Sequence, residues 1–376
     1  MSPVSFFKGG AERSLFDLME NPSVHPVLFV TEEGPLSEAA TQRGIETCIV
    51  PFGRVSAIRR PFRVTSAFPV LSDWIRAARL LARVSADHGV VLVHSNGLKA
   101  HAVAILSSRL GGPPVVSHIR DIGYTGVEHR VWRGLARFSA QTILVSRACW
   151  PDMHLPENVT VIFNSVGSMD VQAQPPKSLK QETVIGICGR IHPNKGIHLA
   201  LDWVAAARER GYELKLIIRG AAAPEDAEYE QLLQTQIQKL NLSEHVKFDG
   251  FRDELVEIYA GLDAVLVPSV IPDPLPRSVM EAFALGLPVI GYPAGGIVEM
   301  IEPGKNGWLA DSSDAFCSAV GNICALGPDG LALLKARTSA TVQQRFSRTR
   351  MFAQLNAVYR RALGFSADIS SDSRTR

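Results

Sequence analysis

No apolar run in the sequence reaches the ~18 residues expected of a membrane span. No charged-then-apolar leader opens it. These two absences set the expectation of a cytoplasmic protein. Charge of one sign is equally scarce, since 39 Lys and Arg stand against 37 Asp and Glu for a net charge of +2. A nucleic-acid binder would carry a basic stripe. Here the basic clusters are short, Arg59-Arg60 and Arg345 to Arg350, so nucleic acid is not expected as a partner. The cysteines number five (Cys48, Cys149, Cys188, Cys317, Cys324) and lack metal-like spacing. An odd count without a secretory segment fits a reducing compartment. Cys317 and Cys324, seven apart, read as buried thiols on one helix face rather than as ligands. Apolar residues, by contrast, make up 46% of 376 residues, which suits two globular cores better than one.

The chain is organised around Asp273-Pro-Leu-Pro-Arg-Ser-Val-Met-Glu-Ala-Phe-Ala-Leu-Gly-Leu-Pro288. A short buried strand, Ala264-Val-Leu-Val, precedes it, and Val289-Ile-Gly-Tyr follows as another. Between them Ser278 to Leu285 fits a helix that stops at Gly286. Asp273 therefore lies on a loop at a strand's carboxyl end, and Glu281 inside the next helix. In open α/β sheets ligands bind at that edge. Pro272, Pro274 and Pro276 each fix φ and stiffen the loop. The helix start near Ser278 aims amide N–H groups and a positive dipole end at the same place, which favours a phosphate. Taken alone, the two carboxylates also fit a helix cap and a solvated helix residue. A second stretch, Val184-Ile-Gly-Ile-Cys-Gly-Arg-Ile-His-Pro-Asn-Lys-Gly-Ile-His-Leu199, reads as strand, loop and helix. Arg190 and Lys195, five apart on that loop, suit a diphosphate, one cation as a fork and the other as a point charge.

This cationic pair, followed about 80 residues later by the acid-x7-acid loop, resembles the retaining glycosyltransferases of family 4. The resemblance runs from Gly9-Gly-Ala-Glu12 to the last helix. It implies the GT-B fold: two facing Rossmann-like, doubly wound parallel-sheet domains, with the last helix crossing back to the N-terminal domain. It implies a sugar moved from a nucleotide-diphosphate-sugar donor to an acceptor hydroxyl, with retention, and surface polysaccharide or glycolipid biosynthesis as the usual role. The acceptor expected is a glycan or a lipid-linked glycan, with peripheral contact at the inner membrane surface. Arg190, Lys195 and the helix start would stabilise the diphosphate leaving group. Asp273 would orient the sugar ring, and His118 matches the family's histidine near the transferred sugar. Gly9 and Gly10 match the family's first glycine loop, although a lone Gly-Gly also serves as an ordinary turn. The backbone at Gly250 and Phe251 would hold the nucleobase, and Glu281 the ribose. Leu275, Arg277 and Ser278 complete the donor-side set. The sequence departs from the family at Pro276, where glycine is usual, and at Leu275, where an aromatic is. Proline offers no N–H, and Arg277 is the candidate to compensate. No Asp-x-Asp motif stands at a strand end, so neither a metal nor a cofactor is expected. Two other readings stay open: a nucleotide-sugar epimerase or phosphorylase of the same shape, and a non-catalytic sugar-binding member.

In chain order, residues 1–167 read as an acceptor-side Rossmann-like domain. Only Met1 to Lys8 precede Gly9, so the expected first strand is short, with Val4 to Phe7 its stub, or missing, with the start upstream. A strand is predicted over Val90 to Val93, and one over Val115 to Ser117 that delivers His118 just past its end. Arg54 to Pro69 reads as a loop facing acceptor, membrane or solvent. Asn164-Ser-Val-Gly167 departs from the family's Asn-Gly-aliphatic-Asp. Residues 168–182 are polar and aperiodic and read as the linker. Residues 183–345 alternate strand and helix, the pattern of a parallel sheet covered on both faces, and form the nucleotide-sugar domain. Pro293-Ala-Gly-Gly-Ile-Val-Glu299 resembles the family's second glycine turn. Residues 346–364 carry a helical apolar stripe, and 365–376 read as a disordered tail.

Overall fold

The computed structural model describes residues 10–57, 70–122, 126–150, 152, 154–166 and 182–365. The stub at Val4 to Phe7, Gly9, most of the Arg54 to Pro69 loop, the linker and the tail lie outside the described residues. The chain divides into two compact units, one of residues 1–164 with 349–376, the other of residues 165–348.

The first unit opens on α1 (Gly10–Met19), β1 (Val27–Val30), α2 (Pro35–Gln42) and β2 (Glu46–Ile49). It continues through α3 (Leu71–Asp87), β3 (Val93–Asn96), α4 (Leu98–Arg109) and β4 (Val115–Ile119). It then runs α5 (Gly126–Phe138), β5 (Gln141–Leu144) and β6 (Val159–Val161). Every strand pair is parallel. β1 and β2 pair as one sheet, and β3-β4-β5-β6 form another in that order. The two sheets share a core: Phe29, Val50 and Phe52 pack with Ala77 and Leu81 of α3, Val93 of β3, and Ala100 and Val103 of α4. β3 lies three residues beyond its predicted position. The apolar run that suggested it begins too early, and Val91 is solvent-exposed. The paired residues are Val93 to Asn96, of which Ser95 and Asn96 are polar yet buried; Ser95 is satisfied inside by His101 at 2.8 Å. Polar residues in the interior hide a strand from a hydrophobicity pattern.

The second unit alternates β7 (Thr183–Cys188), α6 (Ile197–Glu209), β8 (Leu214–Arg219), α7 (Ala227–Lys239) and β9 (Val246–Gly250). There follow α8 (Leu255–Tyr259), β10 (Ala264–Val267), α9 (Arg277–Ala284), β11 (Val289–Gly291), α10 (Ile297–Met300) and β12 (Gly307–Leu309). Its six strands pair in parallel in the order β12-β11-β10-β7-β8-β9. All four residues of β10 are buried, as a parallel strand covered on both faces requires. α6 and α11 (Ser313–Ala325) cover one side of the core, where Trp203 stacks on Tyr292 and tilts against Phe316. Cys317 is buried in that core, but Cys324 is exposed at the end of α11, so the two do not share the environment expected of them. α12 (Pro328–Thr341) was not evident in the sequence; it packs on α9 and runs into a π-type turn at Val342–Phe346.

The last helix, α13 (Arg348–Ala362), returns to the first unit. Met351, Leu355 and Val358 are buried on one face against Leu18, Val116, Ile143 and Ile162. Full burial of such a side chain contributes about 1.5–3 kcal/mol. Asn356 adds polar fixation, accepting from Asn21 at 2.8 Å and donating to Ser23 at 3.0 Å. Among the described residues no single helix is long and apolar enough to cross a membrane.

Candidate functional site

Strand order reverses in the second unit between β7 and β10. The chain builds outward from β7 through β8 to β9, then crosses to β10 and builds the other way. The loops after β7 and β10 therefore leave the same sheet edge side by side, the crevice where doubly wound sheets bind ligands. These are the loops carrying Arg190, Lys195 and Asp273.

After β7 the chain passes Arg190, which is exposed, and makes a 3-10 turn over Pro193–Lys195. Gly196 then opens α6 at φ 66°, and an added Cβ there would lie 2.0 Å from the Pro268 carbonyl oxygen. A residue with a side chain would push the two loops apart, so glycine sets their distance. With the loops that close, the Lys195 ammonium reaches the Asp273 carboxylate, Nζ to Oδ2 at 3.4 Å. Asp273 is held from three directions. Its Oδ1 accepts from the Leu275 backbone N–H at 3.2 Å, its Oδ2 faces Lys195, and its carbonyl accepts from the Gly296 N–H at 2.8 Å. Gly295, at φ 60°, presses against the same backbone, where an added Cβ would meet the Asp273 carbonyl oxygen at 2.3 Å. The glycine turn after β11 thus braces the β10 loop.

Pro276 caps α9 with extended backbone, and the helix begins at Arg277, one residue earlier than predicted. Glu281 is buried one turn further on. Its Oε2 accepts from the Tyr259 hydroxyl at 3.0 Å and its Oε1 from Arg277 Nε at 3.3 Å. Tyr259 is buried, and burial, then the neighbouring Glu281 charge, holds its pKa well above the ordinary value. It remains a donor, and fixes the carboxylate. Ser278 stands in the first turn of α9. Leu275 offers its backbone to the turn around Asp273 while its side chain is buried. Tyr259 carried no signal in the sequence, since a tyrosine in a short helix has many packing roles.

At the far edge Gly250 ends β9 at φ 73°, and its carbonyl accepts from the Gly220 N–H at 2.9 Å. Phe251 follows with 64% of its surface exposed. Arg219 locks this corner, pairing with Asp249 at 3.0 Å and donating to the carbonyls of Glu257, Ile258 and Ala260.

His118 belongs to the first unit. It lies inside β4, not past its end as predicted, and is 1% exposed. Its Nδ1 faces His94 Nε2 at 3.1 Å and Arg120 at 3.4 Å. Gly10 is the first residue of α1. Among the described residues the grouping able to offer three metal-type donors together is Glu46, Cys48 and His88. There the imidazole is spanned by hydrogen bonds, Nδ1 to Glu46 at 2.9 Å and Nε2 to Cys48 at 3.4 Å. That trio lies in the first unit.

Residues 169–320 match the family described as glycosyl transferases group 1. The putative colanic acid biosynthesis glycosyltransferase WcaL of Escherichia coli (strain K12) is 28% identical over 200 residues, 51% of this chain and 48% of its own length. A D-inositol 3-phosphate glycosyltransferase of Corynebacterium urealyticum is 31% identical over 183 residues, 47% of this chain and 42% of its own. The chain thus spans about half the length of the curated relatives it matches. Among solved structures, HepE of Anabaena in complex with UDP superposes with a TM-score of 0.76 at 24% identity, covering 94% of this chain and 97% of that one. A glycosyltransferase of Rickettsia africae gives 0.78 at 15% identity, covering 97% and 98%. The two units have the GT-B fold expected from the sequence, two Rossmann-like α/β units with parallel sheets.

Proposed function

We propose that the chain is a retaining glycosyltransferase that moves a sugar from a nucleotide-diphosphate-sugar donor to an acceptor hydroxyl. The observation that carries this reading is the junction of the β7 and β10 loops, where Lys195 reaches Asp273 at 3.4 Å and the Gly295–Gly296 turn braces the latter. Such a junction sets a cation for the diphosphate beside a carboxylate for sugar hydroxyls. Complexes of HepE with UDP and with UDP-glucose support a donor of this class. The names of WcaL and of a lipopolysaccharide 1,2-N-acetylglucosaminetransferase of Salmonella typhimurium support a role in surface polysaccharide biosynthesis. A glycan or lipid-linked acceptor, and peripheral contact with the cytoplasmic face of the membrane, belong to the same reading.

In the reaction the bond from the anomeric carbon to the diphosphate oxygen breaks and a bond to the acceptor oxygen forms on the same face. The acceptor proton passes to a departing phosphate oxygen. Negative charge grows on the diphosphate, and Arg190, Lys195 and the first turn of α9 at Ser278 stabilise it electrostatically. Asp273 holds the ring in place, which saves orientational entropy at the reacting centre. Glu281, fixed by Tyr259 and Arg277, grips the ribose, and Gly250 with Phe251 receives the base. Cations and a helix start carry the leaving-group charge, so no metal is required.

The test is a panel of nucleotide sugars read by thermal shift, then nucleoside diphosphate release from any that bind, in EDTA. A bound donor raises the unfolding temperature, because only the native state binds it. The reading expects one nucleotide family to stabilise the protein and turnover to survive chelation. Isomerised donor without acceptor, or turnover abolished by EDTA and restored by a divalent ion, would contradict it.

A further inference from the structure

A chain of three side chains leads from the last helix to His118. Tyr359 of α13 lies 2.8 Å from His94 Nδ1, across 265 positions of sequence. His94 Nε2 lies 3.1 Å from His118 Nδ1. The Arg120 guanidinium, anchored through Nη1 on Asn164 Oδ1 at 2.9 Å, turns Nη2 toward the same His118 Nδ1 at 3.4 Å. All five residues belong to the first unit. Burial, ahead of the nearby Arg120 and His101, holds the pKa of both histidines well below 6.5, so both rings are neutral near pH 7.

Two proton orders are available to such a chain, and Arg120 selects one. A guanidinium has five N–H donors and no acceptor. His118 Nδ1 must then present its lone pair, and the proton of this neutral ring sits on Nε2. His94 Nε2, facing that same lone pair, must carry hydrogen. Its own Nδ1 is left bare and accepts from the Tyr359 hydroxyl. The opposite order would set a His118 N–H against the arginine N–H groups. The selected order satisfies these contacts: Tyr359 O–H to His94 Nδ1, His94 Nε2–H to His118 Nδ1. Of the ring nitrogens, it leaves one unmet. His118 Nε2 is buried and has no partner among the described residues. Native proteins rarely leave a buried donor unmet.

We infer that Tyr359, His94 and Arg120 are positioning residues that fix His118 as the Nε2–H tautomer, a hydrogen-bond donor to a substrate oxygen and not a general base. The last helix therefore closes the relay by donating the Tyr359 hydroxyl to His94, beyond its apolar packing within the first unit. The inference rests on the reading of His118 as a substrate-facing group.

The test is nitrogen-15 NMR of the full chain labelled at histidine, which reads the protonation of each ring nitrogen without ligand. In the wild type His118 and His94 should each show a bare Nδ1 and a protonated Nε2, with no titration near neutral pH. A proton on His118 Nδ1, or an imidazolium near neutral pH, would overturn the inference. Arg120→Met keeps the aliphatic stem and removes the guanidinium that selects the proton order. It should let both histidines sample the second tautomer and lower kcat about three- to tenfold, the span of one lost hydrogen bond. The donor KM should change less than about twofold, since a uniform-binding loss is not expected. Unchanged tautomers in Arg120→Met would show that Arg120 does not select the order and would overturn the inference. The spectra are independent of turnover. The expected tautomers in a protein that turns over no nucleotide sugar would sink the functional reading and leave the relay standing; the reverse result would do the opposite.

Discussion

Arg190 and Lys195 stand in different surroundings, and the difference decides how their loss should be read. Lys195 retains 38% of its side-chain exposure and Asp273 28%, so their ion pair is largely solvated. Pairs of that kind contribute about 0–1 kcal/mol. Arg190 is exposed. Replacing either with alanine should therefore shift stability by no more than about 1 kcal/mol. Turnover should fall about 10²–10³-fold in each, the usual loss for one group that stabilises developing charge. Steady-state kinetics beside denaturant unfolding separates the two effects. Near-full activity in both variants would remove the diphosphate assignment, and a large stability loss would make the residues structural.

The elements that hold these residues are tuned by glycine. Gly295 and Gly304 both sit in left-handed backbone, at φ 60° and 75°. An added Cβ at Gly304 meets nothing within 4 Å, whereas at Gly295 it meets the Asp273 carbonyl oxygen at 2.3 Å. Gly304→Ala should carry the backbone strain alone, about 1–2 kcal/mol, and leave transfer unchanged. Gly295→Ala should add displacement of the Asp273 loop and lower transfer at least tenfold, since misplacement near 1 Å can cost ~10²-fold. Equal activity in the two variants would show that the turn does not set the loop. This brace also shows where sequence reading stops. The strands of the second unit were legible because buried parallel strands leave continuous apolar runs, as in Ala264 to Val267. The loop and helix positions of Arg190, Lys195, Asp273 and Glu281 were legible because each lies at a fixed place relative to those strands. The Gly295 contact was not, because it joins two loops that meet only once β10 and β11 pair. β3 was misplaced because its residues are polar inside, and His118 was set past a strand that in fact contains it. Tyr259, His94 and Tyr359 were missed because their roles depend on partners far away in the chain. α12 escaped notice because it carries no clear apolar face.

Across the whole molecule, the buried histidines make stability depend on pH. His94 and His118 are held well below 6.5, and His101 is lowered to about 3, each chiefly by burial. Unfolded, all three take up a proton near 6.5; folded, they do not. The unfolded state therefore binds more protons below that value, and stability is full above about pH 6.5 and falls as the solution is acidified. Each histidine contributes a slope of up to about 1.4 kcal/mol per pH unit within its window. The window for His101 closes near 3. Lower still, Asp249, held at about 2 by the hydrogen bond from Lys247, adds to the loss between 3.8 and about 2. Chemical denaturation at pH 7 and at pH 5.5 should show a clear drop in the cooperative transition of the first unit; a flat profile would mean that the histidines ionise in place.

The account as a whole rests on a site divided between nucleotide and sugar, and one calorimetric titration addresses that division. Glu281, buried and fixed by Tyr259 and Arg277, is assigned to the ribose. Asp273, braced by Lys195 and Gly296, is assigned to the sugar. A charge-assisted hydrogen bond contributes about 1.5–3 kcal/mol where its partner exists, so each variant should lose affinity only for ligands that carry the partner. Glu281→Gln and Asp273→Asn are titrated with the nucleoside diphosphate alone and with the intact donor. Glu281→Gln should weaken both ligands alike. Asp273→Asn should bind the nucleoside diphosphate as the wild type does, and lose roughly tenfold or more for the intact donor. Equal losses for both ligands in Asp273→Asn would contradict the division and leave Asp273 a structural residue.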